Sequence, residues 1–259
     1  MEYKPKISVI MPTYNRAYTI QNAIRSVIDQ SFKDWELIIV DDGSTDGTKR
    51  IVESFANPRI KYFQLPHSGN ISQVRNEGIK RASADVLVVH DSDDQALPDR
   101  LDEIYKVFEE QPDTDVVYHG MYNRFFDPYH NAIGRLLKPA QPYDKERLLQ
   151  EQYIPGQIAY KRETVMRISY NEQIPLCDDY MLLLELALNN CKFVPIFRQL
   201  YDYVESPDSV NVSGEVSGQR KKDVSTMIQI LKDKYGVSKV GALIKSTTSG
   251  DLISREIIE

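Results

Sequence analysis

Hydrophobic and polar positions along the first 120 residues switch between two periods. Short β-prone runs occur at Ile7–Met11, Trp35–Val40, Arg59–Phe63, Asp85–His90 and Thr114–Tyr118, and the fourth is almost continuously apolar. Such runs, bounded by Pro, Gly or Asp, predict strands, and an apolar run without alternation predicts burial on both faces. Between them lie helical patterns. Ile20, Ala23, Ile24, Val27 and Ile28 share one face of Tyr18–Gln30, and helices are also expected over Thr45–Phe55, Asn70–Ala82 and Asp99–Glu109. Ser44 or Thr45 is available to cap the second helix, Pro98 suits the opening of the fourth, and Pro12 should stop the first strand. Strand-helix alternation at this spacing makes right-handed βαβ units and a mostly parallel sheet, with ligands outside the carboxyl ends of its strands.

After residue 120 the pattern loosens. Tyr122–Tyr143 is aromatic and reads as long loops or a small antiparallel extension. A short helix is expected over Lys145–Gln152, a strand over Ile154–Tyr160, and a strongly apolar helix over Asp179–Asn189. Glu205–Ser217, rich in Ser and Gly, reads as a mobile loop, and a last helix spans Lys221–Tyr235 before a polar break at Ser246–Gly250. The chain thus divides at about 1–120, 121–218 and 219–259. The fold class is α/β, a Rossmann-like sheet flanked by helices, with a smaller second region and a helical C-terminal tail.

Composition narrows the function classes. With 259 residues, 41% hydrophobic and 27% charged, the chain is of ordinary soluble type. No apolar run approaches the roughly 20 residues of a membrane span. The first residues carry no signal-peptide core, so a cytoplasmic location is expected. Cys177 and Cys191 give neither a disulfide framework nor metal-ligand spacing. A net charge of −6 argues against nucleic-acid binding. From Gln219 onward, however, eight basic residues face five acidic ones. That excess suits either a solvated helical face or contact with a membrane surface or partner.

Acids gather at the expected strand ends. Asp91-Ser92-Asp93-Asp94 closes the fourth strand. Such crowded carboxylates repel unless a cation or several donors compensate them, and hard divalent ions prefer oxygen ligands. Asp41-Asp42-Gly43-Ser44-Thr45-Asp46-Gly47 closes the second strand, where a dinucleotide fold would carry glycines. A carboxylate there would repel pyrophosphate but suits the N–H of a base or the hydroxyls of a ribose. Neither G-x-G-x-x-G nor G-x-x-x-x-G-K-[ST] is present. Pro12-Thr13-Tyr14-Asn15-Arg16 ends the first strand, and Arg75 supplies a cation that could meet a phosphate or base.

Ile7-Ser8-Val9-Ile10-Met11-Pro12-Thr13-Tyr14-Asn15, Trp35 to Asp46 with its acidic end, Arg75-Asn76-Glu77-Gly78 and Asp91-Ser92-Asp93-Asp94 follow one another in an order that resembles family 2 glycosyltransferases of the GT-A fold. The resemblance is close over residues 5 to about 110 and fainter to about 205. It implies that residues 1–120 bind a nucleotide sugar and 121–218 an acceptor. The donor would be a nucleoside-diphosphate sugar, UDP favoured, held by Pro12, Thr13, Tyr14, Asn15, Asp42, Arg75, Asp91 and Ser92. Asp91 and Asp93 match the DXD motif, with Asp93 and Asp91 on a divalent cation, Mn2+ or Mg2+. Asp178-Asp179-Tyr180 looks like the family's Glu-Asp-Tyr signature, with Asp179 as the base of an inverting transfer to a glycan or lipid-linked hydroxyl.

Many relatives carry a metal-approaching His after the last strand. Tyr201 to Val210 has none, so either fewer protein ligands serve or an acid such as Asp208 substitutes. Among His67, His90, His119 and His130, the first and second sit where they could line the cleft or simply pack. A sugar-phosphate nucleotidyltransferase would share the architecture, but its Gly-rich pyrophosphate loop is missing. A non-catalytic nucleotide-sugar-binding protein is the other alternative. Peripheral contact with the inner face of a membrane through the basic tail, and homo-oligomerisation, are the further partner expectations.

Overall fold

The first two strands are apolar on both faces because helices cover both. In the computed structural model, which describes residues 4–126, 132–205 and 218–237, strands β1 (Ile7–Thr13) and β2 (Trp35–Asp41) are buried at every position. Ile7, Val9, Met11, Leu37 and Ile39 pack with helices α1 (Ile20–Ile28) and α4 (Arg100–Glu110). Ile10, Ile38 and Val40 join the other core with Val74 and Ile79 of α3 (Ile71–Arg81). Gly78 lets α3 press on β1, since a Cβ there would stand 2.6 Å from Ile10 Cγ2.

Strands β3 (Ile60–Gln64) and β4 (Val86–Val89) complete a parallel half in the order β3-β2-β1-β4. Pro12 does not stop β1, which pairs with β2 through Thr13 opposite Asp41. The Ile10 carbonyl accepts from His90, so Ile10 and Pro12 both turn their backbone groups toward β4. Pairing with β4 ends at Ile10, so the N–H that Pro12 lacks interrupts no ladder. Helix α2 (Thr48–Ser54) begins later than expected, with Gly47 as its N-cap residue. Ser44 does not cap it, because its Oγ accepts from Asn15 N at 2.7 Å, whereas Asp46 Oδ1 accepts from Thr48 N at 2.9 Å.

The second half is mixed. The short β8 (Ala159–Lys161) runs antiparallel between β4 and β6 (Val116–Phe126), and β9 (Phe193–Glu205) lies parallel to β6. β5 (Gln95–Ala96) closes the edge beyond β9. β7 (Ala132–Lys138) pairs antiparallel with the outer part of β6, so the described parts of Tyr122–Tyr143 include the antiparallel extension. Of the strand expected at Ile154–Tyr160, only Ala159 and Tyr160 pair. Ile154 and Ile158 are buried within irregular backbone around Pro155 and Gly156.

Helices α5 (Lys145–Leu148), α6 (Arg162–Arg167), α7 (Asp178–Leu188) and α8 (Gln219–Tyr235) pack on this half. Val224, Met227 and Leu231 of α8 share a core with Met181, Leu184 and Leu186 of α7. Apart from Glu205, the loop expected to be mobile lies outside the described residues, as do Asp208, His130 and the tail beyond 237. Among the described residues, no helix is long and apolar enough to cross a membrane.

Candidate active site

The loops leaving β1 and β2 are joined to each other. Asn15, at φ 48°, donates its N–H to Ser44 and accepts from Thr45 N at 2.9 Å through Oδ1. Asn tolerates this left-handed conformation better than most residues. Asp42 N donates to Thr13 O at 2.9 Å. The buried Asp42 carboxylate accepts from Ser68 N, Ser68 Oγ and Gly69 N, each at 2.8 Å, and His67 Nδ1 stands 2.9 Å from Oδ2. Asp42 therefore draws residues 67–69 over the strand ends. Gly43 permits this with φ +79° and no Cβ, which would otherwise lie 2.8 Å from His67 N. His67 stacks on Tyr14 with ring centroids 4.2 Å apart, making an exposed aromatic surface. Pro12 and Thr13 are buried, and the Thr13 hydroxyl has no hydrogen-bond partner among the described residues.

The acidic end of β4 is held from three sides. Asp91 Oδ1 accepts from Arg75 Nη2 at 3.0 Å, its Oδ2 from Gln157 Nε2 at 3.0 Å, and its N–H reaches Tyr201 Oη at 3.1 Å. Burial opposes ionisation of Asp91, but Arg75 and Gln157 hold its carboxyl below the ordinary range. Burial, then the charge of Asp91, raises Asp93, against the pull of Arg16, whose Nε lies 3.3 Å from it. Asp94 is pushed well up by burial and by both neighbouring acids. Its Oδ1 accepts from Val204 N at 2.7 Å, while its Oδ2 is buried with no hydrogen-bond partner among the described residues. Ser92 is buried between them.

Beneath this loop lies Arg100, 1% exposed. It donates to His119 Nε2, Val89 O and Gln157 O at 2.9–3.0 Å and sits over the Tyr201 ring. Burial and Arg100 together push His90 and His119 down to about 3, so both imidazoles are neutral. His90 packs in this interior and is not exposed to the cleft, whereas half-exposed His67 lies at the strand ends.

Arg75 spans the site. Its Nη1 pairs with Asp178 while its Nη2 holds Asp91. The sequence left Arg75 free for a phosphate or base, but here two carboxylates engage it. Asp178 is buried, and burial lifts it to about 6 despite Arg75. Next to it, part-buried Asp179 takes Tyr180 N on Oδ1 at 2.7 Å and Gln152 Nε2 on Oδ2 at 2.9 Å.

Sequence reasoning singled out neither glutamine for a role. Gln152 has no local signature, and Gln157 follows Pro155 and Gly156 inside the stretch expected to be a strand. The same stretch shapes the site at Gly156, where a Cβ would stand 2.8 Å from Asp179 Cβ. Gly156→Ala should displace that carboxylate and cost about 1–3 kcal/mol of stability, the range for overpacking, as urea unfolding will show.

These contacts connect Tyr14, Asp42, Asp93, Asp91 and Asp179 into one region at the strand ends. No cluster of three His, Cys, Asp or Glu side chains poised for a metal occurs among the described residues. The donor set still fits a hard dication of the kind that takes one or two carboxylates and completes its shell with substrate phosphate. Asp93 is part-buried, with 23% of its side chain exposed, Asp91 lies beside it, and Asp94 keeps an oxygen with no hydrogen-bond partner among the described residues.

Comparison with known proteins agrees with this architecture. Residues 8–174 match the model of Glycosyl transferase family 2. The chain is 41% identical over 105 residues to the GalNAc(5)-diNAcBac-PP-undecaprenol beta-1,3-glucosyltransferase of Campylobacter jejuni, covering 38% of this chain and 32% of that one. The first curated relatives align over 40–68% of their own lengths, so the chain spans about half of the relatives it matches. S. aureus TarS 1-349 in complex with UDP-GlcNAc superimposes with a TM-score of 0.65 at 24% identity, covering 79% of this chain and 60% of that one. The mannosyltransferase PcManGT from Pyrobaculum calidifontis, in complex with GDP-Man and Mn2+, gives 0.63 at 20% identity over 88% and 64%. These likenesses bear out the GT-A fold expected from the sequence. The family match begins in β1, ends just before α7 and takes in more than half of the residues, so the chain belongs to glycosyl transferase family 2.

Proposed function

We propose that this chain transfers a sugar, with inversion, from a nucleoside-diphosphate sugar to a hydroxyl of a glycan or lipid-linked glycan. The observation that carries the reading is that Arg75 ties Asp91 to Asp178, the neighbour of Asp179, and so sets two differently held acids on either side of one site. Asp91 is held ionised at the donor end, and part-buried Asp179 stands on the far side with one oxygen on the exposed side chain of Gln152. The acceptor oxygen attacks the anomeric carbon as its proton passes to the Asp179 carboxylate. The bond from that carbon to the diphosphate oxygen breaks, and the electron pair leaves with the nucleoside diphosphate. One displacement with one base inverts the centre.

Tyr14 offers a ring face to a base, and Pro12, Thr13, Asn15 and Asp42 shape the wall around it. Arg75 and Ser92 keep the Asp91 loop in register. Asp93, with Asp91, would hold Mn2+ or Mg2+, which when bound neutralises charge on the diphosphate leaving group. A uridine nucleotide is favoured, in line with the UDP-GlcNAc seen on TarS. The lipid-linked acceptor class takes support from the undecaprenol-linked substrate in the name of the Campylobacter relative.

A thermal-shift screen of nucleoside-diphosphate sugars with and without Mn2+ tests the reading. The correct donor at about 100 times its Kd should stabilise the protein by roughly 2.7 kcal/mol, and only with the metal present. A metal-independent response, or none to any such sugar, would overturn it. The anomeric configuration of the product, read by NMR, decides inversion.

A further inference from the structure

We propose that Asp223, on the C-terminal helix α8, is a positioning residue for the proton-accepting end of α7. The proposal rests on the reading of Asp179 as base. Helix α7 starts with no cap of its own: Cys177 stands at its N-cap position and makes no side-chain cap hydrogen bond. The backbone donors just ahead of the helix are met from another element. Asp223 Oδ2 accepts from Leu176 N at 2.7 Å and from Cys177 N at 3.2 Å, and its Oδ1 accepts from Gln219 Nε2 at 2.6 Å. The carboxylate is only 1% exposed. A buried acid accepting backbone N–H groups at the positive end of a helix is favourably placed, so it fixes the turn instead of repelling it.

The rest of α8 is fastened along α7. Val224, Met227 and Leu231 bury against the α7 core, and Lys234 pairs with Glu185 at 2.6 Å. Tyr235 Oη accepts from Asn189 Nδ2 at 2.9 Å. The two helices therefore run side by side from the acidic end of α7 to its last turn. Asp178 and Asp179 directly follow the two residues that Asp223 holds. Arg75 and Gln152 grip the acids from the cleft, and Asp223 fixes their backbone from behind. Both Asp223 and its partners lie beyond residue 174, where the family match ends. This brace belongs to the chain's own C-terminal region.

The experiment compares Asp223→Ala and Asp223→Asn in the full chain, well below the melting midpoint of each variant. Loss of the acceptor should lower kcat by roughly 10- to 100-fold, with donor KM within about twofold, because the donor wall is built on other strands. Asn keeps one acceptor oxygen and ranks beside Asp at helix starts, so it should recover most of the rate. Hydrogen exchange at the Leu176 and Cys177 amides should quicken in the Ala variant and not in the Asn variant. A lowered midpoint with unchanged kcat per folded molecule would make Asp223 merely structural and overturn the proposal. So would unchanged exchange at those two amides. Asp179→Asn is run in parallel. Near-normal turnover in that variant would remove the base reading on its own, and the exchange data would still decide whether Asp223 holds the turn.

Discussion

Asp179→Asn is expected to lower turnover by roughly a thousandfold while donor affinity stays within about twofold, the signature of a lost proton acceptor. Two adjacent acids compete for this role, and their surroundings separate them. Asp178 is buried and tied to Arg75, so an incoming hydroxyl cannot reach it without breaking an ion pair. Asp179 is part-buried, and among the described residues its Oδ2 is held by the exposed side chain of Gln152. An amide in its place keeps the bond to Tyr180 N and the shape of the turn, so folding should be little affected. Initial rates with labelled donor, alongside calorimetric binding of the nucleoside diphosphate, measure the two quantities separately. A rate within a few-fold of wild type would remove Asp179 from the chemistry.

The parallel half of the fold was legible because its cause is local. β4 is apolar at every position and β1 and β2 at most, and in a sheet covered on both faces that pattern has few other readings. The acids at their ends followed from topology alone. The second half was less legible. Ile154 and Ile158 announced burial, which was right, but Pro155 and Gly156 kept the backbone out of the sheet. β9 escaped notice because Pro195 and Arg198 interrupt its alternation, and its register against β6 shifts around Gly120.

The site was legible as a set of residues and not as a set of contacts. Arg75 and Asp178 are 103 positions apart, and Asp223 and Leu176 are 47 apart. Sequence spacing within an element reports nothing about either pair. Arg100 is a sharper case: two residues after Pro98 at the start of α4, it is buried among carbonyls and neutral imidazoles that lie far from it in sequence.

Arg75→Met should destabilise the fold by about 3–5 kcal/mol at neutral pH, the range for removing one partner from a buried ion pair. Arg75 is 6% exposed and separates two acids that burial would otherwise neutralise. The destabilisation should depend on pH in a direction that both acids share. Asp91 is held below its ordinary value, so it contributes stability above the unfolded carboxyl range and loses it as pH falls through its folded value. Asp178 sits near 6 even with Arg75 present, and without the cation it would rise further. A raised carboxyl costs stability above its unfolded value and costs nothing once both states are protonated. The wild-type advantage over Arg75→Met should therefore be largest near pH 7 and shrink steadily toward pH 4 and below. Urea unfolding at several pH values measures it. A deficit independent of pH would mean that Arg75 acts through packing, for instance against the Tyr170 ring 5.4 Å away, and not through charge. Arg75→Lys separates the two further. An ammonium keeps the charge but lacks the fork that spans Asp91 and Asp178 together, so it should restore part of the stability at pH 7 and little of the turnover.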